Sequence, residues 1–340
     1  MRKLICAILF ASYGFLASAQ ESGEELLTLR LEARLDYQRN RMDGETMKGN
    51  TGFEGKFLNI RADGKITDKL SYSWRQRLNK QHNDHSFFDA TDWIYINYNI
   101  GKWAIAGGKQ VVNIGGWEYD RAPIDLYECS VFWNNVPCYA IGASVGYRLS
   151  SSDQLTVQFC ESPFFTSENR DMYAYNLMWQ GSHDWFDALY SVNLIESTPG
   201  HYINYIALGN KFSFSKFVLE LDLMNRASDH QTFLFKDASV MGELAYAPCP
   251  KWNIHGKMTY DVNKTNNADA CVLPNTELTM AGGGFEFYPL VKKNHALRIH
   301  ANLYYAWGKN ANPDNVMQNK SLLFDIGVKW NMNLLAIKHK

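Results

Sequence analysis

The sequence predicts an all-β fold, a transmembrane antiparallel β-barrel of about sixteen strands. Three observations carry that expectation. Apolar and polar residues alternate through most of the chain, segments of about ten residues recur, and short links between them take turns with long polar ones. Such a wall meets lipid on one face and water on the other, and single-chain bacterial barrels have an even strand number with short turns on the periplasmic side.

The clearest single segment is Leu27–Tyr37, in which Leu27, Leu29, Leu31, Ala33, Leu35 and Tyr37 share one face. Thr28, Arg30, Glu32, Arg34 and Asp36 share the other. Further strands are expected at Leu58–Ile66, Leu70–Asn79, Ile94–Ile100, Lys102–Asn113, Ile141–Leu149 and Leu155–Phe159. The second half continues at Met172–Gly181, Asp184–Glu196, Tyr202–Phe214, Lys216–Ala227, Ala238–Pro248, Lys251–Val262, Thr276–Pro289, Ala296–Gly308 and Ser321–Leu334. Links after the even strands are expected to be tight, as at Thr67-Asp68, Gly101 and Ser215. Those after the odd strands run long, as at Asn40–Gly52, Ser162–Asp171 and Asn263–Asn275. Both chain ends then lie on the periplasmic side. Trp74, Trp93, Trp103, Trp179, Trp185, Trp252, Trp307 and Trp330 cluster near strand ends, where an interfacial girdle would place them.

Residues 1–19 read as a cleaved secretory signal. Arg2 and Lys3 precede the apolar run Leu4–Leu16, and Ala17-Ser18-Ala19 supplies a small-residue cleavage site. Residues 20–340 are then a single exported barrel domain. Losing Arg2 and Lys3 takes the formal charge from -1 to -3, which excludes a polybasic nucleic-acid binder. Cys129, Cys138, Cys160, Cys249 and Cys271 remain, an odd number. Cys129 and Cys138 lie in one loop and could staple it. No CxxC spacing suggests zinc, and neither a metal nor a cofactor is expected. His82, Asp84, His85 and Asp89 read as a solvated loop, and Gly282-Gly283-Gly284 as a bend or a close backbone approach within a strand.

The longest break in the alternation is Ile114–Tyr139, the third of the outward loops. It holds Trp117, Glu118, Tyr119, Asp120, Arg121, Asp125 and Glu128, and it is expected to fold into the bore and narrow it. The first five strands offer Arg30, Arg34, Arg61, Arg75, Arg77 and Lys109 as pore-lining cations. Set against the loop acids, they would create a transverse field of the kind that filters ions. The competing reading pairs these charges with carboxylates across strands, where they stabilise the wall.

Just before that loop, Ile105–Glu118 reads I-A-G-G-K-Q-V-V-N-I-G-G-W-E. A strand ending Gly-Lys-Gln, then a Gly and an acidic residue entering a long loop, resembles the phosphate-selective porin O/P-type family. In this sequence Val111–Gly116 stands where Pro-Phe-Gly often follows. The resemblance implies a sixteen-stranded, usually trimeric barrel for passive entry of small hydrophilic or ionic solutes. Its setting would be the lipids of a Gram-negative outer membrane. Some members prefer anions such as phosphate. The alternative is a non-conducting barrel that displays its loops for adhesion or docking. Catalysis is not expected, because His255 and His300 fall on the polar face with no Ser at a suggestive spacing.

Overall fold

The computed structural model describes residues 25–80, 87–228, 236–266, 271–291, 296–311 and 320–338. The signal segment and the His82, Asp84 and His85 group lie outside the described residues. Sixteen long strands make one antiparallel sheet. In chain order they are β1 (Glu25–Met42), β2 (Gly52–Lys65), β3 (Leu70–Arg77), β4 (Thr91–Ile100), β5 (Trp103–Val111), β6 (Tyr139–Arg148), β7 (Asp153–Glu161) and β8 (Tyr173–Ser182). The second eight are β9 (Phe186–Thr198), β10 (His201–Phe214), β11 (Phe217–Ser228), β12 (Asp237–Cys249), β13 (Trp252–Asn263), β14 (Thr276–Phe287), β15 (Leu297–Lys309) and β16 (Ser321–Lys338). A two-residue pairing, Glu45–Thr46 against the end of β1, continues the first hairpin.

Each strand pairs with its neighbour in sequence, and β1 pairs with β16 from Glu25↔Lys338 to Met42↔Ser321. The barrel is therefore closed, with no edge left to pair with another chain. β16 runs past the expected end at Leu334 to Lys338, because β1 supplies backbone partners along its whole length.

Burial is inverted relative to a water-soluble core. Ile96 is 57% exposed and Val157 57%, whereas their neighbours Asn97 and Gln158 are 8% and 2% exposed. Alternation with the apolar set outward suits a wall whose outer solvent is hydrocarbon. No helix among the described residues is long and apolar enough to cross a membrane.

The links follow the expected rhythm with two departures. Pro199-Gly200 alone joins β9 to β10 on the long-loop side, with Gly200 at φ +77°. On the short-turn side, residues 288–296 join β14 to β15. Aromatic pairs ring the short-turn rim: Trp103–Tyr147 at 4.6 Å, Phe217–Tyr246 at 4.6 Å and Trp252–Phe287 at 4.7 Å between centroids. Trp93 does not belong to this girdle. It is buried on the inner face, its indole N–H donating to the Ser73 hydroxyl at 2.7 Å.

Candidate functional site

The link between β5 and β6 spans residues 112–138 and carries two short helices, α1 (Trp117–Asp120) and α2 (Val131–Asn135), around a 3-10 turn at Pro123–Asp125. It is one of the most buried stretches of the molecule: Val112, Ile114, Trp117, Ile124, Val131 and Val136 are each under 5% exposed. Its entry rests on close backbone contact. A Cβ on Gly115 would fall 2.5 Å from the Leu189 carbonyl oxygen, and one on Gly209 of β10 would fall 2.8 Å from the Gly116 Cα. Gly116 itself sits at φ +109°, a conformation that favours glycine. The paired glycines before Trp117 thus let the chain lie flat against β9 and β10.

Short helices leave their first N–H groups without internal partners. Here carboxylates from distant strands take them. Asp222 of β11 accepts from the Trp117 and Glu118 N–H groups at 2.9 and 2.8 Å. Asp261 of β13 accepts from Val131 and Phe132 at 2.9 and 3.3 Å. Within the segment, the Ser130 hydroxyl caps α2 by accepting from the Trp133 N–H at 3.1 Å.

Ion pairs extend the same pattern. Arg121 bridges Glu243 at 2.8 Å and Glu220, and Glu220 also meets Lys211 at 3.1 Å. Glu118 meets Lys257 at 2.6 Å, and the Lys257 ammonium donates to the Glu128 carbonyl. Asp125 is held by Arg298 at 2.9 Å and by Lys329. Burial alone would raise the Asp125 carboxyl, but those two cations hold it below the ordinary carboxylate range. Glu128 goes the other way, pushed up to about 7 by burial against the weaker pull of Lys56 and Lys257. The Tyr127 ring lies between the guanidiniums of Arg34 and Arg298, at 4.8 and 5.2 Å, while its hydroxyl donates to Glu286 at 2.6 Å.

Among the expected cations, Arg34, Arg61, Arg75 and Arg77 lie on the inner face. Each is matched by a carboxylate: Arg34 by Asp36 at 2.7 Å, Arg61 by Asp63 at 2.7 Å, Arg75 by Glu32 and Asp92 at 3.4 and 3.5 Å, and Arg77 by Asp92 at 3.2 Å. Arg30 stands directly across from Arg61. Lys109 is a correction. It pairs across the sheet with Ile94 and Ile141, both exposed on the outer face, so strand alternation places it outside the bore. Its ammonium donates to the Phe88 carbonyl at 3.2 Å.

The loop acids Glu118 and Asp125 meet Lys257, Arg298 and Lys329 of the last strands rather than arginines of the first five. From the expected set only Arg34 hydrogen-bonds to the segment, at the Ile124 and Leu126 carbonyls. The anchoring partners Glu220, Asp222 and Glu243 were not anticipated, although alternation in Phe217–Arg226 puts Glu220 and Asp222 on one face. The staple left open by the sequence is not formed here: Cys129 and Cys138 are free thiols, with α2 between them in the chain. Asp36, His300 and Asp325 bring potential ligand atoms within 4.8 Å of one another, but Arg34 already supplies the cation beside Asp36.

On the opposite side of the barrel a space open to solvent runs along β2–β9. Its lining combines Ser, Thr, Asn and Gln side chains with Ala104, Ala106, Val111, Met178 and Leu189, and Asp63 and Asp120 are its carboxylates.

Residues 27–184 match the family model described as phosphate-selective porin O and P. No curated protein matches the chain. Among solved structures it is similar to the outer-membrane channel DcaP of Acinetobacter baumannii, with a TM-score of 0.63 and 11% identity, covering 90% of this chain and 96% of that one. It is also similar to OmpT of Vibrio cholerae, with a TM-score of 0.62 and 10% identity over 90% and 97% of the two chains. OmpT has also been solved in a trimer form. A variant porin of Rh. blastica aligns with a TM-score of 0.52 and 11% identity over 90% and 100%. The fold is that of a porin.

Proposed function

We propose that this protein is an outer-membrane channel of a Gram-negative cell through which small hydrophilic solutes diffuse passively, with residues 112–138 crossing the bore and narrowing it. One observation supports the crossing above all. The segment begins in β5 and ends in β6, which are neighbours, yet beyond the Asn113 N–H, which donates to Gln158 of β7, its bonds are to β9, to β11 through β16 and to β1. Every such strand partner is a polar group on the face opposite the exposed apolar side chains. A connection that reaches those faces from β5 must pass through the interior. The outer surface fits hydrocarbon and the inner surface fits water, which is the division a diffusion channel needs. A homotrimer is the assembly this reading takes, in line with the trimer form of the Vibrio cholerae protein.

The test is single-channel conductance of refolded protein in a planar bilayer, with the reversal potential measured under a salt gradient. Steady current steps with weak ion preference are expected, since Arg34, Arg61, Arg75 and Arg77 are each matched by a carboxylate. A folded barrel that passes no current would overturn the channel reading in favour of a barrel that displays its loops.

A further inference from the structure

The two sides of the inner wall differ in chemistry. From β5 to β8 the inward positions away from the strand ends carry no charge. A cross-strand row runs Ser71, Asn97, Ala106, Ser144, Gln158, Asn176, each directly opposite the next. The cavity opens along this row, with Asn97, Ala106 and Ser144 in its lining. The amide and hydroxyl groups hold one another in place: the Ser144 hydroxyl donates to the Gln110 side-chain oxygen at 2.9 Å, and the Asn176 amide donates to Gln158 at 2.9 Å. Of the two carboxylates that reach the cavity, Asp63 is paired with Arg61 at 2.7 Å.

A surface of this kind favours one class of solute. Amides and hydroxyls both donate and accept, so a polyhydroxylated molecule can exchange its water hydrogen bonds for wall hydrogen bonds at little cost. An inorganic anion beside the same wall sheds hydration without meeting a compensating charge. Resting on the channel reading above, we propose that the open path through this barrel follows the β4–β8 wall and passes neutral polyols and sugars in preference to phosphate. Arg34, Arg61, Arg75 and Arg77 are matched by carboxylates and offer phosphate no unopposed guanidinium.

The test is swelling of liposomes carrying the purified protein, in glucose and in sodium phosphate at equal osmolarity, alongside bilayer conductance of the same preparation. Glucose is expected to enter several-fold faster than phosphate. The Ala106→Arg variant, which places a guanidinium in the row, is expected to slow glucose several-fold while current steps persist. Phosphate entering as fast as glucose, or a folded Ala106→Arg barrel with unchanged glucose entry, would overturn the proposal. Current without glucose entry would overturn the solute class alone, whereas silence in both assays would overturn the channel reading with it. The wild-type comparison stands whether or not the variant folds.

Discussion

The wall from β9 through β16 and on to β1 and the wall from β4 to β8 are built from the same alternation, yet they do opposite things with it. The first is crowded with inward charge: Lys211, Glu220, Asp222, Glu243, Lys257, Asp261, Arg298 and Lys329 all meet the β5–β6 link or each other. The second is uncharged away from its strand ends and faces the cavity. Charges placed in a low-dielectric interior are retained only when paired, and here many of their partners come from a single loop while others, such as Lys211 and Glu220, pair within the wall. Carboxylates and cations of the first wall fasten most of the segment, while neutral groups such as Gln158 and Ser191 hold only its entry.

The largest expected effect lies on the charged side. Arg121→Ala leaves Glu243 without its guanidinium and Glu220 with Lys211 alone. Removing one partner of a buried pair costs about 3 kcal/mol. Urea-driven unfolding from lipid vesicles should show a loss of that order, together with noisier current steps. An unchanged midpoint would mean the charged side does not hold the loop. By contrast, the Ala106→Arg change on the neutral side should leave the unfolding midpoint nearly unchanged while it alters solute entry. The smallest effect is expected outside both regions. Lys109→Gln alters neither the carboxylate pairs nor the cavity lining, so the conductance and reversal potential should match wild type. A shifted reversal potential would place Lys109 at the bore after all.

How far the sequence reached differs by level. The strands were legible because each must present lipid on one side, as in Leu27–Tyr37, and period two survives any choice of partner. The last boundary was less so, since the residues after Leu334 continue β16 with weak alternation and only the pairing to β1 shows it. Gly107-Gly108 explains the misplaced Lys109: two residues without side chains interrupt the facial signal just before it. The loop was legible as a concentration of acids and aromatics among strands. Its partners were not, because Asp222, Asp261 and Lys329 lie roughly 90 to 210 residues downstream on different strands, and alternation tells which face they take but not what meets them there. Trp93 shows the limit in reverse. An indole near a strand end suggests a membrane girdle, yet parity turns it inward between Arg61 and Arg75, whose guanidiniums lie 5.4 and 4.9 Å from its ring.

Residues 112–138 are proposed to cross and narrow the bore, fastened there by carboxylates from the far wall. The most direct measurement is the single-channel conductance of an Asp222→Ala, Asp261→Ala double variant beside wild type. Each lost cap is worth about 1 kcal/mol, enough together to loosen the segment without unfolding the barrel. A larger, fluctuating conductance is expected. A conductance indistinguishable from wild type, in a normally folded barrel, would contradict it.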